Sequence, residues 1–389
     1  MTMQAQRQTA PTPDPTAPGE ADVADLAAGL LPAGTPVRFL DDSGRPAPDH
    51  ERAGYQPPPV DKLIDGYRRM VLGRRFDAQA TALTKQGRLA VYPSSHGQEA
   101  CQVGGVLALR ETDWMFPTYR ESMALVARGI DPVQALTLLR GNWHCGYDPT
   151  TTRTAPQCTP LATHSVHAAG LAYAARRRGE DTVALAFVGD GGTSEGDFHE
   201  ALNFAAVFRA PVVFLVQNNR YAISVPLAKQ TAAPSLAHKG VGYGVRSEQV
   251  DGNDLVAVLA VLRHAVESAR ADGKPFLVEA HTYRMEAHTN ADDATRYRDA
   301  AEVAAWEARD PIRRLESYLS TAGALADEDI GAAREEAETF ANRLRERMNE
   351  DPAVDPDELF SHVFAEPTPQ LLEQRTWLRE ELAARSDDR

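Results

Sequence analysis

TVALAFVGDGGTSEGDFHEALNFAAVFRAPVVFLVQNNRY, residues 182–221, opens on an apolar, valine-rich run, Val183 to Val188, too short for a typical helix. Gly189-Asp190-Gly191-Gly192 follows, then a helical segment, then a second apolar run from Pro211 to Val216 that ends in Asn218-Asn219. The periods predict strand, tight acidic turn, helix and strand, a βαβ unit whose two strands are buried on both faces. A right-handed crossover carries the two strand ends to the same edge of a parallel sheet. One end bears a carboxylate and the other a carboxamide, and that edge is where open α/β sheets bind ligands.

The chemistry of these ends favours a hard divalent ion. Asp190 offers a charged oxygen and Asn219 a neutral one. Magnesium takes such donors and completes its shell with waters and phosphates. The glycines beside Asp190 allow close backbone approach to a diphosphate. Thr193 or Ser194 can cap the next helix, with Asp197 placed for an approximate capping box, and the helix N-terminus adds a positive dipole end. Neither G-x-x-x-x-G-K-S/T nor G-x-G-x-x-G is present, so the usual nucleotide fingerprints do not apply.

GDG followed by NN on the next strand end resembles the signature of thiamine-diphosphate enzymes. The longer wording, GDGGTSEGDFHEALNFAAVFRAPVVFLVQNNRYAIS, resembles the alpha subunit of the decarboxylating component of 2-oxoacid dehydrogenases. The resemblance runs from about Asp61 to Leu319. It implies an α/β fold, a mostly parallel sheet flanked by helices that binds thiamine diphosphate, with a peripheral C-terminal helical layer. It further implies magnesium held by Asp190, Asn219 and the Tyr221 carbonyl, with Gly191 and Gly192 beside the cofactor.

Other stretches carry the same likeness. Tyr119-Arg120 matches the family's diphosphate pair, and a guanidinium can hold phosphate bidentately. Gly97, Gln98 and Glu99 resemble a shared motif, with His96 beside it. CTPLATH resembles the stretch that touches thiamine: by position Leu161 would pack on the pyrimidine, with Thr159 beside it. In branched-chain members the same stretch builds a monovalent-cation site, and Cys158, Pro160, Thr163 and His164 fall on its ligand positions. A thiol and an imidazole replace harder oxygen donors there, so a potassium ion would rest on backbone carbonyls. Gln217 stands where branched-chain relatives carry a phosphate-binding arginine. In HTYRMEAHTNADD, Arg284 and His288 match a loop whose arginine meets the diphosphate and whose histidine faces the reacting carbon, an arrangement suited to a mobile lid. His288 is the expected catalytic residue, and Thr289 occupies a position where animal relatives carry a regulated serine.

With 389 residues the chain is long enough for one large α/β domain. A net charge of −14 argues against nonspecific nucleic-acid binding, and no apolar run approaches a membrane span. Three cysteines without metal-like spacing suit a reducing, cytoplasmic compartment. Residues 1–59 read as a partly disordered tail and arm, without a secretory or transit signal. Residues 60–319 read as the cofactor domain, and 320–389 as a helical region packed on it. Helical periodicity predicts elements near 60–84, from about Val166, and over 254–271, with strands at 245–250 and 276–280.

Together these features predict an oxidative decarboxylase of a branched-chain 2-oxoacid. The resemblance implies a beta subunit that supplies the activating glutamate, two alpha and two beta chains, and a lipoyl-bearing acyltransferase as acyl acceptor. A pyruvate or acetoin dehydrogenase keeps the chemistry and changes the substrate. A non-catalytic nucleotide-binding protein keeps only the fold.

Overall fold

The computed structural model describes residues 28–350 and 355–387. The chain divides into two compact units, Met1–Arg345 and Glu346–Arg389, so the boundary falls inside the C-terminal helical region. The expected disorder of the first twenty residues lies outside the described ones.

Five strands form the first unit's sheet: β1 (Trp114–Phe116), β2 (Ala184–Gly189), β3 (Val212–Asn218), β4 (Arg246–Asp251) and β5 (Phe276–His281). Their order is β1-β2-β3-β5-β4 and every pairing is parallel. Eight longer helices belong to the described chain before residue 350: α1 (Val60–Lys85), α2 (Glu99–Leu107), α3 (Thr163–Arg177), α4 (Gly196–Val207), α5 (Leu255–Asp272), α6 (Ala300–Glu307), α7 (Pro311–Thr321) and α8 (Asp327–Met348). Beyond the end of α8, the described residues of the second unit form two helices, Glu358–Ser361 and Pro369–Asp387. An ion pair between Arg379 and Asp357 fastens the longer one to the shorter one's start.

Both faces of the sheet are covered, as the unbroken apolar runs require. Leu185, Phe187, Val213, Leu215 and Val278 belong to one core with residues of α1, α2 and α5. The alternate residues Ala184, Ala186, Val188, Phe214 and Val216 belong to a second core with α3 and α4. Period-two alternation thus sends each strand's side chains into two separate apolar layers. β1 is a short strand inside DWMFPTYRES that hydrophobic periodicity does not reveal.

Helix α4 starts differently from expectation. Gly191–Ser194 forms its own 3₁₀ turn, which pushes the helix start on to Gly196, with Glu195 at the cap and no side-chain cap bond. Thr193 Oγ1 instead donates to the Asp190 carbonyl at 2.7 Å, and Asp197 accepts from Thr163 Oγ1 at 2.7 Å.

The described part of the N-terminal arm, residues 28–59, is built into the fold. Val37 bridges Val250 of β4, and Val37, Phe39 and Leu40 are buried. Asp254 holds this junction. One carboxylate oxygen accepts the main-chain N–H groups of Phe39 and Leu40, both at 2.7 Å. The other caps α5 through Val256 and Ala257, at 3.0 and 3.2 Å. Asp254→Ala therefore strands buried donors at about 1–3 kcal/mol each. Urea unfolding is expected to show a loss of at least about 3 kcal/mol.

Candidate active site

The registers of β2, β3 and β5 end almost level: Gly189 lies beside Gln217, and Asn218 beside His281. The next residues, Asp190, Asn219 and Thr282 to Arg284, therefore gather at one edge. Thr118 to Glu121 arrive there from the end of β1. Between them lies a cavity of about 210 Å³.

Asp190 and Asn219 both line it and are buried. Asp190 is 1% exposed, and burial raises its pKa, an effect partly offset by the Gln230 amide, the Asn219 main-chain N–H and Arg284. Gln230 Nε2 donates to Asp190 Oδ2 at 2.7 Å. Asn219 donates to Gln98 Oε1 at 3.3 Å and accepts the Tyr221 N–H at 3.3 Å. Tyr221 lines the same wall, and its carbonyl accepts from Arg284 Nη1 at 3.3 Å.

Gly191 and Gly192 are also on the wall. A Cβ on Gly191 would stand 2.7 Å from the Ala222 Cβ, so this glycine lets the acidic turn meet the Tyr221–Pro226 hairpin. At Gly189 a Cβ would meet no atom within 4 Å, so a side chain there would enter the cavity.

Two guanidinium groups reach the same cavity. Arg120 Nη2 lies 3.0 Å from His288 Nδ1, and Arg284 Nη1 lies 3.4 Å from the same nitrogen. Both arginines donate to that lone pair, which places the imidazole proton on Nε2. Burial, then Arg120, then Arg284 push the His288 pKa down to about 4. The Tyr119 ring stands edge-on to His288 at 6.0 Å, and Arg120 lies over it.

A pH prediction follows with a definite sign. Between about 4 and the ordinary 6.5, His288 is charged in the unfolded chain and neutral in the folded one. Its contribution to stability is complete above 6.5 and is lost as pH falls toward 4. Tm measured across this window is expected to fall less steeply in His288→Gln than in the parent chain.

Arg284 is a wall residue rather than part of a loose lid. It is 1% exposed. Its Nη2 donates to the Ile223 carbonyl at 2.7 Å and to the Tyr297 hydroxyl at 2.8 Å. Asp292 Oδ2 accepts from Tyr297 and from the His288 N–H, at 2.5 and 2.7 Å, and closes the loop on itself.

The CTPLATH stretch is less gathered. Leu161 lines the mouth and is 43% exposed, while Thr159 is exposed and outside the cavity lining. Cys158 donates its thiol to the Pro160 carbonyl at 3.1 Å. Thr163 is turned to Asp197. The buried His164 meets the Phe187 carbonyl at 2.5 Å. The Thr163 hydroxyl and the His164 ring thus face different partners.

Sequence reasoning passed over several wall residues. Glu121 is buried, which raises its pKa; it accepts from Thr118 and, at 2.8 Å, from Gln217 Nε2. Glu195 lines the cavity too, and Gln230 reaches Asp190 from the chain beyond the hairpin. The only sign of Glu121 was its place directly after Arg120.

The donor set matches a metal-bound polyanion. Among the described residues no three His, Cys, Asp or Glu side chains form a metal cage. One carboxylate beside neutral oxygens suits magnesium, which leaves sites for waters and phosphates. Among the described residues, buried Gln98 Nε2, Gln217 Oε1 and Arg284 Nε have no partner. All three residues line the cavity, whose wall thus carries unmet polar capacity.

An all-parallel sheet with paired basic and acidic groups at its carboxyl edge defines a ligand-binding α/β protein. The chain belongs to the dehydrogenase E1 component family, whose model matches residues 67–356. It is 47% identical over 348 residues to 3-methyl-2-oxobutanoate dehydrogenase subunit alpha of Mycobacterium tuberculosis, covering 90% of this chain and 94% of that one. It is 39% identical over 318 residues to the pyruvate dehydrogenase E1 component subunit alpha of Acholeplasma laidlawii, covering 81% and 92%. The corresponding Staphylococcus aureus subunit is also 39% identical, over 264 residues and 68% and 71% of the two chains. The chain is thus a homologue of 2-oxoacid dehydrogenase E1 alpha subunits. Among the described residues no helix is long and apolar enough to cross a membrane.

Proposed function

We propose that this chain is the alpha subunit of a branched-chain 2-oxoacid dehydrogenase that holds thiamine diphosphate and magnesium in the cleft just described. The observation that carries the reading is the meeting of Asp190, Asn219, Arg120 and Arg284 around one cavity. Asp190, the Asn219 side-chain oxygen and the Tyr221 carbonyl would hold the metal. Arg120 and Arg284 would take the diphosphate as charge-assisted bonds. When bound, thiamine diphosphate supplies the electron sink for decarboxylation that side chains lack.

The chain's own residues do the rest. Gly189 keeps the wall clear, and Leu161 at the mouth would meet the pyrimidine. His288 is the proton donor, acting from Nε2 because Nδ1 is committed to the arginines. Pairing both arginines with an anion would relieve their repulsion and bring the His288 pKa back toward its ordinary value, a better range for proton transfer near neutrality.

The relatives' names speak of alpha subunits, and an exposed apolar face supports a beta partner here. Tyr173 of α3 lies 5.2 Å from Phe208, which stacks on Phe204 of α4 at 5.6 Å. With Val207, these side chains remain exposed, an arrangement suited to an interface. The assembly would hold two chains of each kind, draw its activating glutamate from the beta chain and pass the acyl group to a lipoyl-bearing acyltransferase. Three free cysteines suit a cytoplasmic setting. Any potassium ion near Cys158 would use main-chain carbonyls.

The test is coexpression with a beta chain and assay of the complex, loaded with thiamine diphosphate and magnesium, on 3-methyl-2-oxobutanoate and pyruvate. The branched substrate is expected to have the higher kcat/KM. A higher value on pyruvate would move the substrate assignment, and an intact complex inactive on both would overturn the enzymatic one.

A further inference from the structure

Behind the turn that carries Asn219 and Tyr221 lies a second cavity, of about 500 Å³, between the N-terminal arm and the ends of β4 and β5. Its volume falls within the range of small-molecule sites. Arg38, Arg220, Asp251, His281, Trp306 and Arg309 are among its walls.

The arginines of this cavity are unevenly paired. Arg38 lies 2.9 Å from Asp42, 3.9 Å from Glu51 and 3.5 Å from Asp251. Arg309 also pairs with Asp42, at 3.1 Å, and Arg314 with Asp251, at 3.1 Å. Every carboxylate on the wall is therefore taken. Among the described residues Arg220 has no carboxylate partner. Its guanidinium lies over Trp306 at 5.5 Å, and its buried Nε has no acceptor among the described residues. Arg220 also helps to keep the neighbouring His281 neutral, after burial itself.

The backbone adds an independent observation. Arg220 has φ 76°, in the left-handed region. Glycine would adopt that conformation at less cost. An arginine there carries strain and sends a cation to the side of the turn away from the cleft.

We propose that this second cavity is an oxyanion site, in which Arg220 receives the carboxylate or phosphoryl group of a small molecule beside Trp306. Arg220 supplies a planar fork of donors, with Arg309, also over Trp306 at 5.3 Å, flanking it. The bound group pairs with the wall arginine that has no carboxylate partner among the described residues. The inference is independent of the thiamine-diphosphate reading, because none of these side chains lines the first cavity.

The full chain, free of magnesium and thiamine diphosphate, is titrated with inorganic phosphate and separately with acetate, and followed by tryptophan fluorescence and calorimetry. Saturable binding is expected to change the emission as the guanidinium leaves the indole, and the tighter probe identifies the group recognised. Arg220→Gln is expected to weaken binding by about tenfold or more, the worth of one charge-assisted hydrogen bond. Thr35→Glu, an exposed change on the cavity wall, adds a carboxylate to the cavity and is expected to weaken anion binding without removing the arginine. In Trp306→Phe the calorimetric signal persists while the emission change is lost. Arg120→Gln separates this site from the first cavity and should leave the emission change in place. Absence of saturable binding, or an emission change lost in Arg120→Gln but kept in both Arg220→Gln and Thr35→Glu, overturns the proposal.

Discussion

Asp190→Asn is expected to abolish magnesium-dependent binding of thiamine diphosphate while leaving the ligand-free chain at least as stable as before. Asp190 is the acidic member of the proposed metal set, since Asn219 and the Tyr221 carbonyl contribute neutral oxygens. Loss of an outer-shell partner costs about 10–100-fold in metal affinity, so loss of the charged ligand itself should exceed about 100-fold. Stability should move the other way. Burial raises the Asp190 pKa, so the ionised carboxylate costs the folded state free energy at neutral pH, where the unfolded chain ionises freely. Asparagine removes that cost and still accepts the Gln230 bond. Calorimetry with and without magnesium, beside Tm of the free chain, separates the effects. Unchanged metal-dependent affinity in the variant would remove Asp190 from the site.

Much of this arrangement was legible because it follows from local pattern. The uninterrupted runs at 183–188 and 211–216 require strands buried on both sides, and these became β2 and β3 between two apolar cores. The family resemblance read from GDGG and NNRY agrees with the family match. What stayed hidden depends on distant partners. β1 has three residues and no period of its own. The arm is fastened by Asp254, more than two hundred residues away along the chain.

Glu121 and Gln217 show the same limit at the site. Glu121 looks unremarkable in sequence and Gln217 stood out only as a replacement, yet they join as a buried pair at 2.8 Å in the cleft. With glutamine at position 217, the neighbouring carboxylate is held by an amide and by Thr118 rather than by a guanidinium. The positive charge facing the proposed diphosphate is therefore concentrated on Arg120 and Arg284.

That concentration makes Arg284→Lys a severe change despite its conserved charge. Arg284 uses two nitrogens on four groups: the Tyr221 carbonyl and His288 from Nη1, and the Ile223 carbonyl and Tyr297 hydroxyl from Nη2. A lysine ammonium is a single point on a flexible stem and cannot reproduce this fork. The hairpin carbonyls and Tyr297 would lose a shared donor, and the His288 loop would lose the anchor that joins it to the Tyr221–Pro226 hairpin. We expect thiamine-diphosphate affinity to fall by about 100-fold or more, equivalent to roughly 3 kcal/mol. Arg120→Lys should cost less, because its other contacts are to the Ser94 and His288 carbonyls and not to the hairpin. A double-mutant cycle measured by calorimetry distinguishes a shared anion from two unrelated structural effects. If both arginines hold the same diphosphate, the combined loss differs from the sum by more than about 0.5 kcal/mol. Additive losses, with no difference between the two lysine variants, would show that the pair does not act on one ligand.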